Sequence, residues 1–214
     1  MNDHEDSLDP LTGLPRKDAF DQLFADSVNA DGKYSPVSLC FFDIDQFLSI
    51  NKNHGHEESD MVLKAIADFF ISQFQQQEGQ LCRIGGDEFA VILRKTEKEN
   101  AFLRLEKVRE ETEKLQSLEH INPRPTVSIG LATYPDDGAT RQEIIRKADD
   151  ALFRAKTEGR NRVTLAREEK KVPKTSHFTQ GQLVRLSTLS VKEGVGEAEL
   201  LREALDDLLK KYSS

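Results

Sequence analysis

Two hundred and fourteen residues, 37% hydrophobic and 32% charged, suffice for one sizeable core and a small appendage. A formal net charge of −8 argues against diffuse nucleic-acid binding by the whole molecule, though not against a ligand held by a few local cations. No apolar stretch reaches the roughly 18 residues a membrane span needs, and the polar, acidic N-terminus does not read as a signal peptide, so the expected setting is cytoplasmic with no membrane contact.

In chain order, residues 17–28 predict an amphipathic helix with Phe20, Leu23 and Phe24 on one side. The run Val37-Ser38-Leu39-Cys40-Phe41-Phe42 predicts a buried strand ending in Asp43-Ile44-Asp45. Met61, Val62, Ala65, Ile66, Phe69 and Phe70 recur at helical spacing. Residues 81–84 and Ala90-Val91-Ile92-Leu93 read as the arms of a β-hairpin whose tip is Gly85-Gly86-Asp87-Glu88, the glycines being expected to turn with positive φ. Phe102, Leu105, Val108, Thr112 and Leu115 mark a third helix, and residues 126–133 alternate as a strand. Residues 141–157 are helical, Gly159 stops them, and residues 161–165 form a short last strand. Cys40 and Cys82 both fall in strand-like runs and read as reduced core cysteines. Strands and helices interleaved around one hairpin predict an α+β sheet with helices packed against it.

The chemistry lies at two strand ends. Asp87 and Glu88, adjacent at a turn, repel unless a cation lies near them; an isolated turn of this kind is otherwise an ordinary solvated surface loop. Aspartates at a strand end, such as Asp43, are often only turn formers. Two acidic strand ends in one domain, however, make an oxygen cage suited to Mg²⁺, which usually takes one or two carboxylates and leaves room for phosphate.

Five segments in order carry a resemblance: Asp9-Pro10-Leu11-Thr12-Gly13-Leu14; Phe42 to Asp45 with Phe47, Ile50-Asn51, Gly55-His56 and Asp60; Arg83 to Leu93; Val127-Ser128-Ile129-Gly130 with Pro135 and Asp137-Gly138; and Ala148-Asp149 through Lys156 to Gly159-Arg160-Asn161-Arg162. Together they resemble the GGDEF domain, the catalytic domain of diguanylate cyclases, over residues 9 to about 165. The resemblance implies a palm-like fold related to class III nucleotide cyclases, and condensation of two GTP into cyclic di-GMP with release of two pyrophosphates. It implies that Asp43, the Ile44 carbonyl, Asp87 and Glu88 hold Mg²⁺, with Mn²⁺ as the substitute. Asp87 and Glu88 are the catalytic candidates, and Asp87 is the choice for assisting deprotonation of the 3′-hydroxyl. Lys156 and Arg160 would meet the β- and γ-phosphates, although both also suit plain placement of cations against a helix C-terminal dipole. Asn51 and Asp60 would select guanine, with Phe47 and His56 shaping the pocket; His56 reads equally well as a loop histidine with a structural hydrogen bond.

Three departures stand out. Leu48 occupies a position where relatives often carry a lysine, and Ser59 replaces the usual glycine before Asp60. Gln76-Gln77-Glu78-Gly79 stands where the product-inhibition site reads Arg-x-x-Asp, so tight feedback binding is not expected.

Beyond residue 166 the composition shifts. Residues 1–8 read as a short tail, 9–166 as the catalytic domain, 167–173 as a charged linker and 174–214 as a strand-helix-helix module. The module resembles a ribbon-helix-helix domain, its strand at residues 174–179 and its helices carrying Leu183, Leu186 and Leu189, then Leu200, Leu201 and Leu205. A helical hairpin packed on the catalytic domain or on itself is the competing reading. The resemblance implies a homodimer, and DNA contact through Thr175 and His177 with Lys170, Lys171, Lys174 and Arg185 at phosphates. With only eight residues before Asp9, no N-terminal sensor domain is expected in this chain. Set against an active cyclase is a DNA-binding or signalling regulator whose non-catalytic GGDEF head senses GTP or cyclic di-GMP.

Overall fold

A computed structural model describes residues 8–30, 35–74, 79–167 and 174–212, apart from the side chains of Glu199, Asp206 and Lys210. The chain divides into two compact units, Met1–Glu168 and Glu169–Ser214.

The first unit follows from its apolar pattern. Helix α1 (Lys17–Ala30) buries Phe20 and Phe24, and β1 (Val37–Ile44) is buried along its whole length. Two helices follow at once, α2 (Phe47–His54) and α3 (His56–Phe74). They are separated by Gly55, whose φ of +85° makes the corner that a side chain would oppose. The hairpin strands are β2 (Gly79–Arg83) and β3 (Glu88–Arg94). Then come α4 (Lys98–Glu113), β4 (Val127–Tyr134), α5 (Arg141–Thr157) and β5 (Val163–Leu165).

These strands form one sheet in the order β2-β3-β1-β4-β5. All pairings are antiparallel except β4 with β5, where α5 supplies the crossover that a parallel pair requires. Alternation along β1 then sorts the core into two layers. Cys40, Phe42 and Ile44 pack with Phe70, Phe74 and Phe89 on one face, while Leu39 and Phe41 pack with Phe20, Phe24, Ala148 and Leu152 on the other. The aromatic contacts are close, with Phe42 and Phe70 ring centroids 4.8 Å apart and Phe70 edge-on to Phe89 at 5.6 Å.

Gly130 sets the height of α5 above the sheet. A Cβ at this position would overlap the Ala148 carbonyl and the Leu152 amide, so the helix backbone rests directly on β4. Thr140 begins α5 with a reciprocal capping box to Glu143, which fixes the helix at its other end.

The second unit contains α6 (Gln180–Glu193) and α7 (Glu197–Tyr212). Thr179 and Gln182 form a capping box, and Gly194, at φ +67°, ends α6 in the left-handed conformation. No residue of α6 is buried. A groove of about 340 Å³ is lined by Phe178, Leu183, Leu186, Leu189 and Leu201 among others. The expected strand at residues 174–179 is absent: these residues form no strand and are exposed. A lone ribbon has no ladder partner within its own chain, so its backbone groups stay with solvent.

Candidate active site

The topology delivers the candidate groups to one end of the sheet. That end holds the last residues of β1, the tip of the β2–β3 hairpin, the start of β4, and the turn between α5 and β5. Asp43 pairs in register with Glu88 on one side and with Ser128 on the other, so the two acids stand side by side on the α5 face. The Ile44 amide donates to the Asp87 carbonyl at 3.2 Å, closing the hairpin tip onto β1. The two acidic strand ends therefore meet.

The tip is built differently from the expectation. Neither Gly85 nor Gly86 has positive φ. What Gly85 supplies is space, because a Cβ there would lie 2.8 Å from a Glu88 carboxylate oxygen. The turn is held instead by Arg83, whose guanidinium donates to the Gly86 carbonyl and, at 2.8 Å, to the Asp9 carboxylate. Asp9 in turn accepts from the Thr12 amide at 2.8 Å and its hydroxyl at 2.7 Å, with Gly13 at φ +70° rounding that loop. Burial alone would raise the Asp9 carboxyl, but the Thr12 and Arg83 bonds outweigh it and hold the group below its ordinary value. The sequence expectation gave Arg83 and Asp9 no such role.

Lys156, in the last turn of α5, places its ammonium 2.6 Å from Asp43 Oδ2. Even so, Asp43 is strained in its ionised form. Burial raises its carboxyl to about 7, the nearby Asp87 and Glu88 charges add to that, and Lys156 offsets only part. Burial also pushes Asp87 upward, against partial opposition from Lys156 and Arg83. An acidic pocket that already accommodates an ammonium at Asp43 fits a hard cation. Carboxylate and carbonyl oxygens are the donors Mg²⁺ prefers, and one or two carboxylates with substrate phosphate suffice for it. Among the described residues no group of three or more His, Cys, Asp or Glu side chains is gathered as a ready metal cage.

The remaining candidates lie around this end. Phe47 begins α2 three residues after β1 and packs partly against the core. Asn51 is half-buried in α2, while His56 and Asp60 are exposed at the start of α3, so the Gly55 corner carries all three. Buried Ser59 donates its hydroxyl to the Gly55 carbonyl at 2.9 Å, which tightens that corner. Leu48 faces solvent at 66% exposure. Arg160 is exposed in the turn after α5, with φ of +64°. Residues 76–78, most of the segment at the product-inhibition position, lie outside the described residues, as do Lys170 and Lys171.

A family model described as the GGDEF domain of diguanylate cyclases matches residues 6–162. The chain belongs to the GGDEF family. Its relatives include the probable diguanylate cyclase DgcT of Escherichia coli, 34% identical over 161 residues, covering 73% of this chain and 35% of that protein. Diguanylate cyclase A of Treponema denticola is 34% identical over 168 residues, covering 75% of this chain and 44% of the relative. Among solved structures, the GGDEF domain of DgcB from Caulobacter crescentus in complex with c-di-GMP superposes with a TM-score of 0.66 at 29% identity, covering 78% of this chain and 98% of that one. The chain spans less than half the length of these curated relatives. The mixed five-stranded sheet flanked by helices is the fold of these GGDEF structures. A second model, the ribbon-helix-helix domain, matches residues 170–213 of the GGDEF-family chain. No helix among its described residues is long and apolar enough to cross a membrane.

Proposed function

We propose that this chain is a Mg²⁺-dependent diguanylate cyclase that condenses two GTP into cyclic di-GMP and releases two pyrophosphates. The observation that carries the reading is the meeting of Asp43, Glu88 and Lys156 at one sheet end of a GGDEF-family domain. Asp43, the Ile44 carbonyl and one or both of Asp87 and Glu88 would hold the ion. When bound, that ion supplies positive charge to the phosphate oxygens and the leaving pyrophosphate. Asp87, its carboxyl raised by burial, is suited to accept the 3′-hydroxyl proton. Lys156 would exchange its Asp43 contact for phosphate, joined by Arg160. Asp60 can accept both N1–H and N2–H₂ of guanine, a pattern adenine lacks, while Asn51 serves an acceptor edge; Phe47 and His56 bound the base.

The second unit supports a homodimer. Its helices bury little by themselves, and a second copy would complete the ribbon and core. Pairing through the tail would raise the concentration of one catalytic head near another to about the millimolar range where the linker allows it. The ribbon-helix-helix match also favours a second reading, DNA contact by exposed Thr175 and His177 flanked by Lys174 and Arg185. With Gln76 and Gly79 in place of the arginine and aspartate, tight product binding at that position is not part of the proposal.

The test is incubation of purified protein with GTP and Mg²⁺, followed by chromatographic detection of cyclic di-GMP. Absence of product at high protein concentration refutes the cyclase reading. A salt-dependent gel shift by the same protein would establish the second reading, and light scattering with and without residues 168–214 decides whether the tail dimerises.

A further inference from the structure

Asp45 follows Asp43 by two residues, and the sequence pattern groups them as one acidic cluster. Their surroundings separate them. Asp43 faces Lys156 and Glu88, whereas Asp45, 4% exposed, is fully engaged with protein. One of its oxygens accepts the Ser128 hydroxyl at 2.6 Å; the other accepts the Thr126 hydroxyl at 2.7 Å and the Asn161 amide at 3.0 Å. Three donors on one buried carboxylate leave little capacity for a metal ion.

The Asn161 bond reaches a turn that needs holding. Gly159, Arg160 and Asn161 have φ values of +119°, +64° and +44°, and the last two are side-chain-bearing residues kept in the left-handed region. The Arg160 amide donates to the Ala155 carbonyl at 2.9 Å, ending α5. The Asn161 side chain is gripped from α4, accepting from Arg109 at 2.9 Å and donating to Glu113 at 3.2 Å. Asp45 grips the same residue from the turn just past β1. Between these anchors the Arg160 side chain is left exposed, with no ion pair among the described residues.

We propose that Asp45 is a positioning residue that locks the Gly159–Asn161 turn so that Arg160 is presented to the phosphates of GTP. This rests on the nucleotide reading above and deepens it, since it assigns the second aspartate of the Asp-x-Asp pair to the protein and not to the metal. It makes a chemical distinction. An asparagine at this position keeps a carbonyl toward Asn161 and Thr126 and donates its NH₂ to Ser128, so Asp45→Asn preserves the lock, whereas Asp45→Ala removes it.

The experiment is calorimetric titration of the full chain with a non-reacting methylene analogue of GTP in Mg²⁺, beside hydrogen exchange at the Asn161 amide without nucleotide. Asp45→Ala is expected to weaken analogue binding about tenfold, the scale of one charge-assisted contact, and to speed exchange at Asn161. Arg160→Ala should weaken binding similarly, and adding Asp45→Ala to it should cost less than about twofold more. Asp45→Asn should stay within about threefold of wild type, while Asp43→Asn loses binding. Additive losses in the double variant, or unchanged Asn161 exchange in Asp45→Ala, overturn the inference. If Asp45→Ala does not fold, the comparison of Asp45→Asn with Asp43→Asn still decides, because equal losses overturn it. A wild-type chain that fails to bind the analogue sinks the nucleotide reading and the phosphate role with it. Wild-type binding with additive variants sinks this inference alone.

Discussion

Asp43 should impose a measurable pH dependence on stability. In the folded chain its carboxyl lies at about 7, raised by burial and by the Asp87 and Glu88 charges against an ordinary 3.8. Between those values the folded state keeps a proton that the unfolded chain has released. This contribution is therefore full below about pH 4, declines as pH rises toward 7, and is lost above it. At about 1.4 kcal/mol per tenfold change in proton affinity, the gap is worth about 4 kcal/mol. Asp43→Asn carries no titrating proton, so the difference in unfolding free energy between wild type and variant isolates this one group. Urea denaturation in EDTA from pH 4 to pH 8, on both proteins, is the assay. Wild type should lose about 4 kcal/mol relative to the variant across that range, the slope concentrated between pH 4 and 7. A difference that stays flat, or one that rises with pH as for a well-paired carboxylate, would refute the claim that Lys156 only partly compensates Asp43. The same strain favours an incoming divalent ion, and Mg²⁺ affinity should rise with pH and level off above about 8.

Other consequences are as direct. Gly130→Ala should cost about 1–3 kcal/mol, because its Cβ meets helix backbone that cannot rotate aside; an unchanged melting temperature would show that α5 does not rest on β4. Arg83→Ala and Asp9→Ala should each destabilise the chain, with a coupling above about 0.5 kcal/mol in the double variant, since both remove one charge-assisted bond. Cys40 and Cys82 are buried, their thiols pushed up by burial, Cys82 to about 11. Neither should react with a thiol reagent in the native protein, and both should react in denaturant. Native labelling at either position would contradict the packing.

The fold was legible where a period was strong. The helix expected at residues 141–157 coincides with α5, which buries a regular stripe, and the apolar run before Asp43 is β1, which is buried on both faces. The juxtaposition of Asp43 with Glu88 followed from two strand ends and a shared sheet. Other features left no local trace. Helix α2 is short and partly polar, and its helicity comes from packing Ile50 and Phe47 on the core. The roles of Arg83 and Asp45 depend on partners 74 and 116 residues away, which spacing along the chain cannot reveal. A Gly-Gly pair at a hairpin tip suggests conformational freedom, whereas Gly85 matters for the room it leaves beside Glu88. The strand expected at residues 174–179 does not form, and those residues are exposed.

The Arg83 guanidinium touches both the Gly86 carbonyl and the Asp9 carboxylate. Hence the loop carrying Asp9 and the acidic tip are joined through this side chain, beside the bond from the Arg83 amide to the Pro15 carbonyl. A pull or rotation applied at Asp9 reaches the tip through that guanidinium, while the backbone bond from Arg83 to Pro15 keeps the loop on β2. Loss of that contact would loosen the acidic tip while circular dichroism still reported an intact fold.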